Sequence, residues 1–195
     1  GAGPFHSQSN EAWFFHTPGL KIAYPAFPAD AKGLLLSAFE DPNPVLFFEH
    51  KALYRSVSAE VPEGYYTIPF GKAAQLRTGN EVSIITYGMG VHWALEVLDK
   101  HPEIEADLID LRTLAPLDTE SIYSSVRKTG KAIVLHEDCL TGGIGGEISA
   151  LIHEHCWEAL DAAVVRSASM DTPVPFAIPL ENKFLASDRF EAQLL

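Results

Sequence analysis

Near its start the chain sets one histidine, His6, in a polar loop beside Ser7, Gln8, Ser9 and Asn10. Imidazole titrates near neutral pH, so a histidine among short donors and acceptors can move a proton or stabilise an intermediate. A solvated loop histidine is the ordinary alternative. Further along, Asp41, Pro42 and Asn43 end a helix-like stretch. Helix-terminal carbonyls carry partial negative charge, and with oxygens from an Asp and an Asn they suit a hard alkali or alkaline-earth cation. A plain turn explains the same residues.

The run Thr141-Gly-Gly-Ile-Gly-Gly-Glu147 lies between a strand and a helix, where glycine loops can cradle phosphate. It fits neither G-x-G-x-x-G nor the P-loop, and Glu147 would repel phosphate, so a tight packing turn is expected. His153, His155 and Cys156 invite zinc, but on a helix only His153 and Cys156 come near sharing a face. His92, His101 and His136 have nothing at catalytic spacing and are expected at the core edge or surface. Neither a G-x-S-x-G elbow nor a Cys–His nucleophile signature occurs.

The elements that must hold these residues read as α/β. Residues 11–15 suit a short helix, 20–24 a strand, and 29–39 a helix whose buried stripe would be Ala31, Leu34, Leu35 and Ala38. Residues 45–49 are an apolar run of strand length, expected to be buried on both faces. Strand, helix and strand at this spacing predict a βαβ unit and a parallel sheet. Residues 58–75, broken by Pro62, Gly64 and Pro69, read as a linker between a first part (1–57) and a second (76–195). The second part repeats the rhythm. Strands are expected at 82–87, 106–111, 132–136 and 162–166. Helices are expected around Val91, Ala94, Leu95 and Leu98, from Asp118 to Gly130, at 146–157, and from Arg189 onward. Asp118 suits a helix N-cap and Gly130 a C-terminal stop.

Hydrophobic residues make up 47% of the 195 and charged residues 21%, as in an ordinary globular chain. A formal charge of −12 argues against nucleic acid as a partner. No apolar run approaches the roughly 20 residues of a membrane helix, and no signal peptide is visible. Cys139 and Cys156 form no disulfide framework or C-x-x-C pair, which fits a reducing cytoplasm. Without a leading Met, and opening inside a loop, the sequence is expected to belong to a longer polypeptide with an upstream half.

Several runs, in this order, resemble a known family. They are Gly3-Pro-Phe-His-Ser-Gln-Ser9, Glu11-Ala-Trp-Phe14, His16-Thr-Pro-Gly-Leu-Lys-Ile22, Asp30-Ala-Lys-Gly-Leu-Leu35 and Pro44-Val-Leu-Phe-Phe-Glu-His-Lys-Ala-Leu-Tyr-Arg55. Ile68-Pro-Phe-Gly-Lys-Ala73, Ile109-Asp-Leu-Arg-Thr-Leu-Ala-Pro-Leu-Asp118, His136-Glu137, Thr141-Gly-Gly143 and Asp171-Thr-Pro-Val-Pro175 follow. Together they resemble the β subunit of the thiamine-diphosphate-dependent component of 2-oxoacid dehydrogenase complexes, over nearly the whole chain. The resemblance implies the tail of a pyrimidine-binding domain followed by a transketolase C-terminal-like α/β domain with a mostly parallel sheet. It implies that His6 lies at the thiamine site, stabilising the intermediate after decarboxylation and assisting acyl transfer to a lipoyl group. It also implies a potassium site made by the carbonyls of Ala38 and Asp41 with Asn43.

The same resemblance assigns the cofactor's diphosphate and Mg²⁺, and the glutamate that activates the aminopyrimidine, to parts outside these residues. His6 is therefore expected to be disordered or displaced without them, and the chain alone inactive. Implied partners are an α subunit or α-like half, a second β subunit in a heterotetramer, and a lipoyl acyltransferase core. The implied compartment is the cytoplasm, or the mitochondrial matrix in a eukaryote. The run Phe48-Glu-His-Lys-Ala-Leu-Tyr-Arg55 looks closer to the branched-chain enzymes than to the pyruvate ones. The alternatives are a non-catalytic assembly and docking module, or another transketolase-like thiamine enzyme. Transketolase and deoxyxylulose-phosphate synthase fit less well, because Ser7 separates His6 from Gln8.

Overall fold

The structure, a computed structural model, describes residues 2–195. Its first part runs α1 (Gly3–His6), α2 (Glu11–Phe15), β1 (Lys21–Ala23), α3 (Pro28–Glu40), β2 (Val45–Phe47) and α4 (Leu53–Ser56). An irregular strap then leads to β3 (Ala74–Arg77), β4 (Val82–Thr86), α5 (Met89–Lys100), β5 (Ala106–Asp110) and β6 (Thr113–Ala115). The chain continues through α6 (Thr119–Thr129), β7 (Ala132–Cys139), α7 (Gly145–Cys156), β8 (Val165–Ser169), α8 (Ile178–Phe184) and α9 (Ser187–Leu194).

β1 and β2 pair in parallel, with Ile22 opposite Leu46, so α3 is the crossover of the expected βαβ unit. The larger sheet has the order β3-β5-β4-β7-β8. β5, β4, β7 and β8 are parallel and β3 is antiparallel at the edge. Its central strands are largely buried, because helices cover both faces, and most of their residues are apolar. Ile84, Leu108 and Leu135 pack with Ala94 and Leu98 of α5 and Phe190 of α9. Ile85, Ile109 and Val134 pack with Ile122 and Val126 of α6 and Ile148 and Ile152 of α7. The α6 helix starts and stops as its residues predict: the Asp118 carboxylate accepts from the Ser121 N–H, and Gly130 leaves in the left-handed conformation.

Several expectations are corrected. The opening segment is not all loop, since residues 3–6 wind into a helical turn. Leu35 is exposed on α3, whose buried residues are Asp30, Gly33 and Leu34. The strap explains this: the Ile68 N–H donates to Gly33 O at 3.2 Å and the Ser37 hydroxyl to Ile68 O at 2.6 Å, so it covers the Gly33 and Ser37 side of the helix. β2 is half-buried rather than buried on both faces, because among the described residues it forms the sheet's edge. The last strand begins at Val165, with Ala162 and Ala163 exposed before it. β3, β6 and α8 were not predicted.

The two parts interlock through β6. It pairs antiparallel with β1, Ile22 opposite Ala115 and Ala23 opposite Thr113. The Tyr24 N–H donates to Arg112 O at 2.8 Å, and the Arg112 guanidinium reaches Asp30 at 2.8 Å. No described helix is long and apolar enough to cross a membrane.

Candidate functional site

His6 ends the single turn α1, which opens with Pro at its N-terminus and closes through the Ser7 N–H to Gly3 O at 3.2 Å. Its imidazole is exposed and has no hydrogen-bond partner among the described residues. Five residues later the surroundings invert. Glu11 begins α2 but is only 1% exposed, and its Oε1 accepts from the Tyr87 hydroxyl at 2.8 Å. Its Oε2 is buried without a partner. Burial, reinforced by the charges of Asp138 and Glu137, pushes the Glu11 carboxyl up to about 7 from its ordinary 4.5.

Tyr87 directly follows β4, and His136, Glu137 and Asp138 lie in the last half of the neighbouring strand β7. From β4 the chain crosses to β5 on one side, and from β7 to β8 on the other. The ends of these strands therefore diverge, and an open α/β sheet leaves its ligand-binding crevice at such a switch point. Here the chain itself enters that crevice. Glu11 bonds to Tyr87, the Tyr24 ring packs 5.3 Å from the Tyr87 ring, and a Cβ at Gly88 would meet Tyr24 at 2.9 Å. A second polar link, His50 Nε2 to Glu137 Oε2 at 2.6 Å, joins the first part to β7. Burial opposes a charged His50, but the Glu137 carboxylate outweighs it and raises the imidazole above its ordinary range. Burial also raises Asp138.

His136, expected at the core edge or surface, is fully buried, with its ring nearly parallel to Tyr87 at 6.4 Å. Both ring nitrogens lack partners, and burial lowers its pKa to about 4, so it is neutral at physiological pH. The glycine run is a packing turn against this ring. A Cβ at Gly145 would lie 2.6 Å from His136 Nε2, and one at Gly143 2.6 Å from Cε1.

Beside this cluster a cavity of about 380 Å³ is lined by Gln8, Ser9, Glu137, Asp138, Thr141 and Thr172, with neighbours. The residues immediately after His6 thus face the end of β7 and the loops after β7 and β8. Carboxylates and neutral amide or hydroxyl groups dominate its polar wall, so it suits a cationic or neutral ligand. A second cavity, about 450 Å³ between β3, β5 and α6, is different. There the Asp107 carboxylate is already held by Ser125 at 2.5 Å, Lys128 at 2.6 Å and Gln75 at 2.5 Å.

The residues expected to hold a cation, Ala38, Asp41 and Asn43, stand at the C-terminal end of α3. The Asp41 carboxylate accepts from the Asn43 N–H at 2.9 Å and its carboxamide at 3.0 Å, and pairs with Lys21. The Lys21 ammonium, then Asn43, hold the Asp41 carboxyl down at about 2. Ala38 lies in the last turn, where helix carbonyls lack intrahelical donors. The zinc candidates diverge: His153 Nδ1 meets Ser149 O at 2.7 Å, His155 packs on Tyr123, and Cys156 is buried. Among the described residues no group of three His, Cys, Asp or Glu could hold a metal.

Comparison with known proteins agrees with this architecture. Residues 71–189 match the family described as Transketolase, C-terminal domain, and residues 2–57 match Transketolase, pyrimidine binding domain. The chain is 46% identical over 194 residues to the 2-oxoisovalerate dehydrogenase subunit beta of Bacillus subtilis (strain 168), covering 97% of this chain and 59% of that protein. It is also 46% identical over 174 residues to the pyruvate dehydrogenase E1 component subunit beta of the same organism, covering 88% of this chain and 54% of that protein. The chain thus spans little more than half the length of these curated relatives. A solved structure titled "Split gene transketolase, inactive beta4 tetramer" superposes with a TM-score of 0.77 at 24% identity, over 98% of this chain and 61% of that one. At that identity it speaks to the fold alone. The chain belongs to the transketolase C-terminal domain family, here preceded by the tail of a pyrimidine-binding domain.

Proposed function

We propose that the chain is the downstream part of the β subunit of a 2-oxoacid dehydrogenase, acting on branched-chain 2-oxoacids, with His6 at its thiamine diphosphate site. The observation that carries this reading is His6 itself: an exposed imidazole, unpaired among the described residues, on a turn joined to a pyrimidine-binding tail. The neighbouring cavity fits the cationic thiazolium end of the cofactor, because Glu137 and Asp138 line it. Those carboxylates do not fit a diphosphate. The diphosphate and Mg²⁺ therefore fall to an α-type partner, and this chain alone is inactive.

When bound, the cofactor supplies the carbanion stabilisation that decarboxylation of a 2-oxoacid requires. His6 contributes an imidazole that can donate or accept a proton at the reacting end. Its exposure leaves room for a lipoyl group to approach. Potassium is proposed on the carbonyls of Ala38 and Asp41 with the Asn43 carboxamide oxygen, next to the Lys21–Asp41 pair. An α subunit, a second β subunit and a lipoyl acyltransferase core complete the proposed assembly. The reduced cysteines Cys139 and Cys156 support a reducing compartment, the cytoplasm or a mitochondrial matrix.

The test uses the full-length β chain assembled with its α-type partner, assayed for 2-oxoacid-dependent reductive acylation of a lipoyl domain. His6→Ala is expected to lower kcat by about 100-fold or more, the usual worth of a positioned acid–base group. Turnover near that of the unmodified enzyme would remove His6 from the site. A higher kcat/KM for pyruvate than for 2-oxoisovalerate would overturn the branched-chain assignment.

A further inference from the structure

Two motifs of this chain have no task in the function proposed so far: the Thr141-Gly-Gly143 turn and the Asp171-Thr-Pro-Val-Pro175 run. They come together in the structure. The Thr141 N–H donates to Asp171 Oδ1 at 2.8 Å and its hydroxyl to Oδ2 at 2.7 Å. Thus the loop after β8 is pinned to the loop after β7 at Asp171, its second residue. Val174, only 5% exposed, plugs the same loop into the core three residues later. Two residues beyond that anchor stands Phe176, whose ring meets Phe5 at 5.9 Å and 52°.

Phe176 also fits Gly3. The glycine is buried with φ +60°, and any Cβ there would drive into the Phe176 ring. The ring therefore lies against the backbone of the turn that ends in His6. That turn cannot hold itself, because four residues are far short of what an isolated helix needs. Among the described residues it is closed by the Ser7 N–H to Gly3 O at 3.2 Å and the Ala2 N–H to Ser7 Oγ at 2.9 Å. His6 makes no bond of its own among the described residues.

We propose that Phe176 is a positioning residue for His6. It clamps the α1 turn through Gly3 and Phe5, and is itself fixed by the Thr141–Asp171 pair and buried Val174. The two unexplained motifs are the foundation of that clamp. Gln8, Ser9, Thr141, Thr172 and Val174 all line the 380 Å³ cavity, so the foundation of the clamp and the residues after His6 border the same space. The proposal rests on the reading of His6 as a group at the thiamine site.

The experiment uses the full-length chain with its α-type partner, and the variants Phe176→Ala, Phe176→Tyr and His6→Ala singly, with Phe176→Ala also combined with His6→Ala. Phe176 is 63% exposed, so its truncation leaves the core intact. A displaced catalytic group costs rate rather than affinity, so Phe176→Ala is expected to lower kcat about 10- to 100-fold with little change in KM for the 2-oxoacid. Phe176→Tyr restores the rate, and Phe176→Ala adds nothing once His6 is Ala. In the cofactor-free protein, amide hydrogen exchange of residues 3–9 is expected to quicken about tenfold in Phe176→Ala, while β4 and β7 keep their protection. If His6→Ala is slow but Phe176→Ala retains normal turnover and exchange, or if the two losses add, the positioning role is wrong and the His6 reading stands. Normal turnover in His6→Ala overturns both.

Discussion

Glu11 and His136 flank Tyr87, one at its hydroxyl and one against its ring, and burial moves their titrations in opposite directions. Glu11 is raised to about 7 by burial, so the folded chain holds its proton more tightly than the unfolded chain does. Its stabilising contribution is full below its ordinary 4.5 and is lost as pH rises through 7, a difference on the order of 3 kcal/mol. Asp110, raised by burial to about 7, and Asp138 act with the same sign. His136, lowered by burial to about 4, acts the other way: its contribution is full above 6.5 and is lost as pH falls through 4. Between pH 4.5 and 6.5 these slopes oppose, and the carboxyls outnumber the imidazole, so stability drifts downward as pH rises. Glu11→Gln keeps an acceptor for Tyr87 and places an N–H in the field of Asp138 and Glu137. It is expected to raise stability at pH 8 by about 1–3 kcal/mol and to flatten the drift. Urea denaturation at pH 5 and pH 8 checks this; an unchanged difference between the two pH values would contradict it.

Elements whose local chemistry agrees with their packing were legible in the sequence, and α6 shows why. Asp118 caps its start, Ile122 and Val126 make its buried face, and Gly130 turns the chain out. Asp118 does more than cap: its Oδ2 accepts from the Ala73 N–H at 2.9 Å and the Ser121 hydroxyl at 2.8 Å, tying the end of the strap to α6. Asp118→Ala is therefore expected to cost more than an ordinary cap, about 2–3 kcal/mol in urea denaturation. A loss below about 0.5 kcal/mol would place its role at the surface only. β3 and β6 were not legible, because each is a short antiparallel strand made by its partner rather than by its own pattern. Exposed Gln75 and Arg77 in β3 read as loop until β5 pairs with them. β8 was misplaced because Ser167 and Ser169 are buried hydroxyls, whereas the more apolar Ala162 and Ala163 lie outside the strand. Of the candidate site, His6 was visible through its motif. Glu11 looked like a solvated helix-start acid, and the link from His50 to Glu137 spans 87 residues, a distance no local pattern reports.

At the scale of the molecule, the first part is held to the second by contacts that each part alone would leave unsatisfied. β6 belongs to the downstream sequence but pairs with β1 of the first part. Tyr87, Leu111 and Leu114, downstream residues at most 3% exposed, share one core cluster with Ile22 and Tyr24. The Glu11–Tyr87, His50–Glu137 and Asp30–Arg112 links lie along the same junction, with His92 bonding to Ala26 O at 2.9 Å. A junction that buries continuous apolar surface and also satisfies its polar groups couples the two parts into one unfolding unit. Calorimetry of the chain is expected to show a single transition with matching calorimetric and van't Hoff enthalpies; two resolved transitions would refute the coupling. Conversely, residues 58–195 expressed alone leave β6 unpaired and bare the apolar side chains around Tyr87 and Leu114. That piece is expected to bind a hydrophobic dye such as ANS and to melt about 10 °C or more below the whole chain, since each lost kcal/mol lowers Tm by several degrees at this size. Dye-free, equally stable behaviour would mean that the crevice at β4 and β7 closes without Glu11.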